Sequence, residues 1–540
     1  MTDVSTNGWD VFSVTDIETI NKIINTDKLY PPLFSASDRV LGQEVKLAGK
    51  WGRWDVSNNA SGGKVNIRCE IISGSVNYSD KQVNVNDGGN ASYIEIEVLL
   101  KDIQVSPEQW VSGDDKITRD TRCYQLMIDT DNTVVVTEYH FTGPDMDKDG
   151  LSSVVPDLFH EWFNDNVDKF GQIFSVILVG LEAGNSDFQW LYPSAYSYAA
   201  NGSIDGKTTG FGVLTLIDGK TDTGNLQQSV DIQALNLVKP FGANLALVIS
   251  KAMFVKHMLL KAAVSVVKGS NEKDFTISDT GLSLTNNREM VWQDFDDGNG
   301  NTLSPTLPKN SFILDLQSDF IHLSIIGAHY RPKAGVTAYM SVEQNFRYKV
   351  EKNASGQPVF VPDETGLGDA QVTCSCKFDD WVTALEITLD IIGGLAAIFS
   401  VGSAMGGWLA ARAAATVAEL AAEEMTVFSL EGFEDALEEG VVTQEEVATE
   451  AEAAVAGATS RAPTLFNVAK ICGALSGVIL LAGITPEIMK QIYKRNYSDV
   501  PSFHDFARSI TGTSVWPGIN NSELKSASLA DSFVIGIELK

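Results

Sequence analysis

The sequence is poor in cysteine and in basic residues. It contains five cysteines among 540 residues: Cys69, Cys123, Cys374, Cys376 and Cys472. A sparse, odd-numbered set is not what a disulfide-stabilised secreted scaffold uses. Lys and Arg total 40 against 70 Asp and Glu, so the net charge is 40 − 70 = −30. Because such a surface repels phosphate backbones, we expect no nucleic-acid partner.

Known catalytic and targeting patterns are also missing. Residues 1–10 have no basic n-region and no apolar h-region, so we expect no signal peptide of the usual kind. Residues 202–208 resemble a phosphate loop but are one residue short and place Asp205 where phosphate would lie, so we interpret them as a hairpin turn. No G-x-S-x-G elbow is present. We therefore expect no enzyme activity and no cofactor.

One acidic segment partly matches a known metal-binding pattern. Asp145, Asp147, Asp149 and Gly150 match the beginning of a calcium loop, but the twelfth position holds Pro156 instead of Glu. The pattern favours an acidic surface loop, with an incidental calcium site as the alternative. We expect no metal here.

The composition is that of a folded protein. Hydrophobic residues make up 44% and charged residues 20%, which is enough apolar surface for a sizeable core. At roughly 100–200 residues per domain, the length fits two large domains or three to five smaller ones.

Period-two alternation predicts antiparallel sheets in two regions. The first covers about residues 38–136, where apolar and polar residues alternate along 65–71 and 94–98 and Asp87–Asn90 supplies a hairpin turn. The second covers about 275–377, and a short strand at 533–539 closes the chain. His322 and His329 lie seven residues apart in the second region, so we expect them on opposite faces, as structural histidines.

Three-four spacing predicts helices. Thr15 and Glu18 form a capping-box pattern at the beginning of a first helix. An aromatic stripe predicts a long helix from Phe159 to about Leu181, and an aliphatic stripe predicts a second from about Asn244 to Val267. The stripe residues that could line an apolar groove are Phe159, Phe163, Phe170, Phe174, Ile177, Leu245, Val248, Val255 and Leu259.

Residues 381–500 have a different composition. Residues 391–411 form an uncharged run of 21 residues, 471–485 form a second of 15, and 413–460 carry 12 acidic residues with no Lys or Arg. Three interpretations remain open: a pair of buried helices, a hairpin that inserts into membranes at low pH, and a constitutive membrane anchor.

Several local sequences, in order, resemble one known family. They are Gly8-Trp9-Asp10, Trp51-Gly52-Arg53-Trp54, Ser61–Ile67, Ile71–Gly74, Trp190–Pro193, Tyr196–Ala199, Gly212–Leu214 and Val515–Pro517. This set resembles the clostridial forty-seven-kilodalton protein family, whose members are encoded beside botulinum-type neurotoxins and in related bacterial toxin clusters. The resemblance covers most of residues 8–380 and 502–540.

The resemblance implies the tubular lipid-binding (TULIP) fold. We accordingly expect an α+β protein with two TULIP-like domains, each a curved antiparallel sheet wrapped around a long helix, and a helical hairpin inserted in the second. The expected limits are 1–200 for the first domain, 201–380 with 501–540 for the second, and 381–500 for the insertion.

The resemblance also implies a function: a non-enzymatic lipid-binding or membrane-associating accessory protein of a bacterial toxin cluster, assisting a toxin that acts on animals, including insects. The expected partners are a lipid or fatty acid, toxin-cluster proteins, and a membrane through 381–500. The expected location is the bacterial cytoplasm, followed by release or non-classical secretion. Two alternatives stay open: a structural scaffold with no lipid tunnel, and a pore-forming or translocating component that inserts 381–500 at low pH.

Overall fold

A computed structural model describes most of the chain outside residues 379–521. The described residues are 3–28, 30–40, 42–57, 64–105, 122–171, 176–180, 190, 194–202, 208–292, 295–296, 302–333, 336–352, 358–363, 366–367, 371–378, 428–431 and 522–539. The chain divides into two compact units. The N-terminal unit comprises residues 2–249, 506–526 and 534–540, and the C-terminal unit comprises residue 1, 250–505 and 527–533.

Within its described residues, the N-terminal unit combines three α-helices with most of the longer strands. Its helices are α1 (Ile17–Asp27), α2 (Leu151–Asn166) and α3 (Gln233–Val238). Its strands are β1 (Val11–Asp16), β2 (Leu33–Val40), β3 (Gln43–Val56), β4 (Lys64–Tyr78), β5 (Lys81–Asn84), β6 (Ser92–Val105), β7 (Arg122–Ile128), β8 (Val135–His140), β9 (Val176–Gly180), β10 (Ala195–Gly202), β11 (Thr209–Leu216) and β12 (Leu245–Ser250).

The C-terminal unit opens with a helical segment and continues as strands. The segment consists of α4 (Lys251–Phe254), a π-helical stretch (Val255–Leu259) and α5 (Leu260–Val266). The strands are β13 (Phe275–Ile277), β14 (Ser283–Asn286), β15 (Met290–Val291), β16 (Phe295–Asp296), β17 (Thr302–Leu303), β18 (Thr306–Leu307), β19 (Phe312–Leu316), β20 (Ile321–Lys333), β21 (Val336–Lys352), β22 (Pro358–Asp363), β23 (Gln371–Phe378) and β24 (Phe428–Glu431). The closing strands β25 (Ser522–Leu529) and β26 (Ser532–Leu539) follow, and most of their residues belong to the N-terminal unit.

Antiparallel pairing dominates the described sheets. One sheet has the order β10-β11-β1-β12-β26-β25, and an eight-stranded sheet has the order β2-β3-β4-β6-β7-β9, with β5 beside β4 and β8 beside β6. A ten-stranded sheet has the main order β13-β14-β19-β20-β21-β23-β24, in which β24 runs parallel to β23. The mixed architecture, with antiparallel sheets and few helices, confirms the coarse fold prediction.

The alternating region 38–136 forms the eight-stranded sheet as expected. Val65, Ile67, Cys69 and Ile71 of β4 are all buried, as are the apolar residues of β6 at 94, 96 and 98. The predicted turn is held by Asp87, whose Oδ1 accepts the N–H groups of Gly89 at 2.7 Å and Asn90 at 2.8 Å.

Two of the helix predictions have wrong limits. The helix expected from Phe159 to about Leu181 begins earlier, at Leu151, and ends at Asn166, and Val176–Gly180 is strand β9, where β-branched residues favour extended backbone. The helix expected from Asn244 begins only at Lys251, because Leu245–Ser250 is strand β12. That strand lies between β1 and β26 and is buried on both faces, so its apolar run does not alternate.

The capping box predicted for α1 is also wrong. Thr15 is the penultimate residue of β1, where it pairs with Phe211 and Leu245, and Asp16 at the helix N-cap makes no side-chain capping bond. The predicted apolar face is confirmed, since Ile17, Ile20 and Ile24 are buried.

A β-bulge in β20 overturns the prediction for the two histidines. His322 pairs with Asn345 and His329 with Tyr339, so seven steps along β20 match only six along β21. The extra residue lies between Ile325 and Ala328. It reverses the alternation, so both histidines lie on the same, less buried face of the sheet.

The division into units differs from the limits expected from the sequence. Residue 200 falls inside β10, which pairs with β11 in the same sheet as β1 and β12. The closing strand is fastened to β12 by Asn244, whose Nδ2 donates to the Leu539 carbonyl at 3.0 Å and whose Oδ1 accepts the Leu539 N–H at 2.7 Å. The expected insertion 381–500 lies, apart from β24, outside the described residues.

We predict that Asn286→Ala destabilises the C-terminal unit by about 2–4 kcal/mol. The fully buried Asn286 amide accepts the N–H groups of Ser311 and Phe312 and donates to the carbonyls of Arg288 and Pro308. Its removal leaves these buried backbone groups without a partner. Urea denaturation followed by far-ultraviolet circular dichroism measures the change.

The control for this experiment is Asn287→Ala, which removes an amide at the solvent-exposed edge. We expect it to cost less than about 1 kcal/mol. Equal effects of the two substitutions would contradict the structural role of Asn286.

Candidate functional site

The candidate site begins with a β-bulge in β3. Trp51 pairs with Ile71 and Trp54 with Cys69, so three steps along β3 match two along β4. Residues three apart on a regular strand face opposite sides of the sheet. The extra residue turns both tryptophans to the same side, where Trp51 is 4% exposed and Trp54 is fully buried.

Gly52 and Glu70 hold the bulge in place. The Oε2 atom of Glu70 accepts the backbone N–H of Arg53 at 2.9 Å. A Cβ atom on Gly52 would lie 2.4 Å from the same oxygen, so a larger residue would push the carboxylate away from that bond. Glycine at position 52 therefore lets Glu70 keep its bond to the bulged strand.

Two asparagines of α1 complete the open edge of β3 beyond the bulge. Asn25 accepts the Trp54 N–H at 3.1 Å and donates to the Trp54 carbonyl at 2.9 Å. One helical turn earlier, Asn21 accepts the Val56 N–H at 2.8 Å and donates to the Val56 carbonyl at 3.3 Å. The i, i+4 spacing places both amides on one face of the helix, where they replace a neighbouring strand.

Helix α2 supplies the opposite side of the site. Phe159, Trp162 and Phe163 have the i, i+3, i+4 spacing of a single face, and all three are buried. Phe170 follows the helix after a 3₁₀ turn and is also buried.

These side chains form one contiguous group, which we call the aromatic cluster. Its members are Tyr30, Phe34, Trp51, Trp54, Phe141, Phe159, Trp162, Phe163 and Phe170. The Trp51 ring lies 5.4 Å from Phe159, 5.3 Å from Trp162 and 5.5 Å from Phe163, between ring centroids. Such pairs contribute about 0.5–1.5 kcal/mol each beyond their buried area.

The surroundings of the cluster are apolar and weakly negative. Tyr30 stacks on Trp54 at 4.9 Å, and burial, followed by the nearby Asp55 carboxylate, raises the pKa of its hydroxyl. Burial likewise raises the pKa of the Cys69 thiol, with Glu95 and Asp55 adding to the effect. Neutral groups are thus favoured next to the cluster.

Two hydrogen-bond donors inside the cluster have no acceptor. The indole Nε1 atoms of Trp51 and Trp54 are buried and make no hydrogen bond. A buried unsatisfied N–H costs about 1–3 kcal/mol, and few such groups occur in native proteins.

The structure places the groove residues predicted from the sequence in different surroundings. Phe159, Phe163 and Phe170 come together in the aromatic cluster. Phe174 lies outside the described residues, and Ile177 is on strand β9, with its side chain not described. Leu245 and Val248 are buried on strand β12, on opposite faces, rather than on a helix. Val255 and Leu259 are buried in the π-helical stretch of the other unit.

Sequence reasoning missed Phe34, Trp51, Trp54 and Trp162 as members of the site. The sequence Trp51-Gly52-Arg53-Trp54 contained a usable signal. A glycine inside a strand often marks a bulge, and a bulge allows two apolar residues three positions apart to face the same side. Phe34 and Trp162 carry no comparable mark, since each stands in an ordinary amphipathic pattern.

The acidic segment considered for calcium is occupied by basic and hydroxyl groups. Asp149 accepts hydrogen bonds from Tyr78 at 2.6 Å and Lys81 at 2.8 Å, which together hold the pKa of its carboxyl below its usual value. Asp145 pairs with Lys148. In the parts of the chain that the structure describes, no group of three or more His, Cys, Asp or Glu side chains is arranged to hold a metal ion. None of the helices described there has both the length and the apolar character needed to cross a bilayer.

Comparison with known proteins gives one family and one fold. The family described as "OrfX-like: Protein OrfX2/OrfX3/P47" matches residues 6–483. Protein OrfX3 of Clostridium botulinum (strain Kyoto / Type A2) is 20% identical over 386 residues, covering 67% of this chain and 76% of its own. Protein OrfX3 of Paraclostridium bifermentans is 24% identical over 435 residues, covering 74% and 84%. The structure of P47 from Clostridium botulinum A2 superimposes with a TM-score of 0.58 at 13% identity, over 99% of this chain and 98% of that one.

We predict that Asn25→Ala destabilises the N-terminal unit by about 2–3 kcal/mol, because the substitution leaves the Trp54 backbone and the Tyr30 hydroxyl without their partner. The near-ultraviolet circular dichroism of the tryptophans should weaken, since α1 no longer fixes the bulge. Thr26→Ala, which removes an exposed bond within the same helix, is the control and should leave the spectrum unchanged. An unaltered spectrum and stability for Asn25→Ala would show that the amides do not hold β3.

Proposed function

Because the chain belongs to the OrfX-like family of OrfX2, OrfX3 and P47 proteins, we propose that it is a non-enzymatic accessory protein of a bacterial toxin gene cluster that binds lipid or associates with membranes. The match of the family over residues 6–483 is the observation that carries the proposal. The P47 fold over nearly the whole chain supports it.

The finer part of the proposal is a TULIP-type interior that accepts an acyl chain. The apolar character of the aromatic cluster supports it, because Phe159 and Phe163 of α2 and Phe170, which follows the helix, are buried against the tryptophans of β3. Transfer of a sixteen-carbon chain into such surroundings contributes ~0.8 kcal/mol per methylene, about 12 kcal/mol before the costs of association.

Ligand entry requires the cluster to open. Phe34 lies 4.5 Å from Trp51 and 5.1 Å from Phe159 between ring centroids, so the rings of β2, β3 and α2 contact one another. An acyl chain reaches the predicted lining only when these rings separate. We propose that the lipid replaces the ring contacts it displaces with its own methylene contacts, so that most of the packing is retained.

A structural scaffold is the second candidate, and the same ring contacts favour it. If the aromatic cluster stays filled, the N-terminal unit presents only its surface to partner proteins, including other products of the toxin cluster. The third candidate, a pore-forming or translocating component, rests on the apolar and acidic runs of residues 381–500, which lie almost entirely outside the described residues. Cytoplasmic synthesis followed by release or non-classical secretion remains the proposed location.

Native mass spectrometry tests lipid binding. We predict that protein made in bacteria carries adducts of acyl-lipid mass, that these disappear on denaturation, and that the delipidated protein takes up a fluorescent fatty acid. Phe163→Ala should change the amount of bound lipid because Phe163 belongs to the cluster, whereas Ile72→Ala, at an exposed apolar position, should not. A clean protein mass with no fatty-acid uptake would favour the scaffold.

Liposome leakage tests the membrane hairpin. Protonation of the 12 carboxylates in residues 413–460 lowers the cost of bringing this segment to lipid, so we predict leakage at about pH 4–5 and none at pH 7. The control variant replaces the acidic residues of this segment with Gln, which should remove the pH dependence. Absence of leakage across the whole range would exclude insertion.

A further inference from the structure

The two unsatisfied indoles of the aromatic cluster come from a single structural device. The bulge in β3 turns Trp51 and Trp54 to the same side, with their ring centroids 5.4 Å apart and their planes at 89°. Both Nε1 atoms are buried without an acceptor, whereas the indole N–H of Trp9 donates to the Gln227 carbonyl at 2.9 Å. Trp9 thus shows that a backbone carbonyl can satisfy a buried indole N–H in this protein.

A ligand that supplies an acceptor to these two N–H groups must itself be largely apolar. Five aromatic side chains lie against the two tryptophans: Phe34, Phe159, Trp162, Phe163 and Phe170. A water molecule is held in such a place only where it finds two to four polar partners. A hydrocarbon chain with one oxygen acceptor matches both features, because its body suits the rings and its oxygen suits the N–H groups.

The charges around the site favour a neutral acceptor over an anion. The nearby acidic groups are Asp55, Glu70 and Glu95, and the nearby cations are Arg53 and Arg68. Both arginines are committed to these carboxylates: Arg53 to Asp55 at 3.0 Å, and Arg68 to Glu95 at 3.1 Å. These charged side chains alternate along β3, β4 and β6 with the buried residues that face the rings, and both arginines already pair with carboxylates, so the charge of a carboxylate ligand would be buried without a partner.

We propose that the aromatic cluster receives the neutral carbonyl end of an acyl lipid, with the indole N–H groups of Trp51 and Trp54 donating to its oxygen. The inference rests on the lipid binding proposed above and adds to it a chemical class, an acyl ester, and an orientation, carbonyl end toward the bulge. The alternative is that each N–H points at a neighbouring ring face and needs no acceptor.

Nuclear magnetic resonance of the indole groups tests the proposal in the full chain. The delipidated protein, labelled with ¹⁵N at the indole nitrogen, is mixed with methyl palmitate, palmitate or hexadecane delivered from cyclodextrin. The signals of Trp51 and Trp54 are assigned with W51F and W54F. We expect methyl palmitate to move both signals downfield, as hydrogen bonding does, and hexadecane to leave them in place.

Binding measurements give a second readout. W51F and W54F should each weaken methyl palmitate binding about fivefold more than they weaken hexadecane binding, a difference equal to the loss of one hydrogen bond. Trp162→Phe is the matched control, because it removes an indole from the same cluster that is not one of the two unsatisfied donors. Trp162→Phe should weaken the binding of methyl palmitate and hexadecane equally, or leave the binding of both unchanged.

The outcomes separate this inference from the proposed function. If none of the three probes binds, the lipid-binding function fails. If hexadecane and methyl palmitate bind alike with no indole shift, lipid binding stands and the carbonyl inference is overturned. Stronger binding of palmitate than of methyl palmitate at pH 8 would overturn the neutral class, and indole signals already downfield in the lipid-free protein would overturn the assignment of the donors to a ligand. The comparison of probes on the wild-type chain does not depend on the variants folding.

Discussion

The bulge in β3 determines the interior of the N-terminal unit, because it decides which way two tryptophans face. On a regular strand Trp51 and Trp54 would lie on opposite sides of the sheet. The carboxylate of Glu70 and the small residue Gly52 admit one extra residue, and the amides of Asn21 and Asn25 fix the backbone immediately beyond it. Two of the largest apolar side chains are thereby placed against α2.

The same arrangement bears on both alternatives, a filled core and the proposed lipid site. The rings of β2, β3 and α2 contact one another at 4.5–5.8 Å between centroids, which is stable packing in its own right. Two unsatisfied indole donors reduce that stability and are the kind of local cost that recurs at functional sites. A ligand that satisfies them while replacing the ring contacts would bind without a large penalty for opening the cluster.

Much of the fold is predictable from the sequence because half-buried sheets alternate with period two. The strand at 312–316 and the apolar positions within 65–71 and 94–98 follow this rule, and α1 follows the helical one. The predictions fail where a second constraint overrides the period. Residues 245–250 are buried on both faces of their strand, so their apolar run was mistaken for a helix stripe. Residues 176–180 pair with β7, a long-range contact that no local pattern records.

Bulges are the other source of error, and they affected the site most. A single extra residue reverses the alternation, which placed His322 and His329 on the same face and Trp51 with Trp54 in the interior. For the tryptophans the intervening glycine was a usable signal. For the histidines, Gly327 adopts a positive φ of 64°, but nothing in the surrounding sequence distinguishes it from an ordinary strand glycine. The chemistry of a site is thus least predictable where the register is irregular.

The central claim is that the bulge turns Trp54 to the same side as Trp51, into direct contact with α2, and a double-mutant cycle tests it most directly. Trp54→Leu, Phe163→Leu and the double variant are compared with the wild type by urea denaturation. For rings 5.8 Å apart we predict a coupling free energy of about 0.5–1.5 kcal/mol between the two positions. Strictly additive effects, with a coupling of zero within error, would contradict the contact and the account of the N-terminal interior that depends on it.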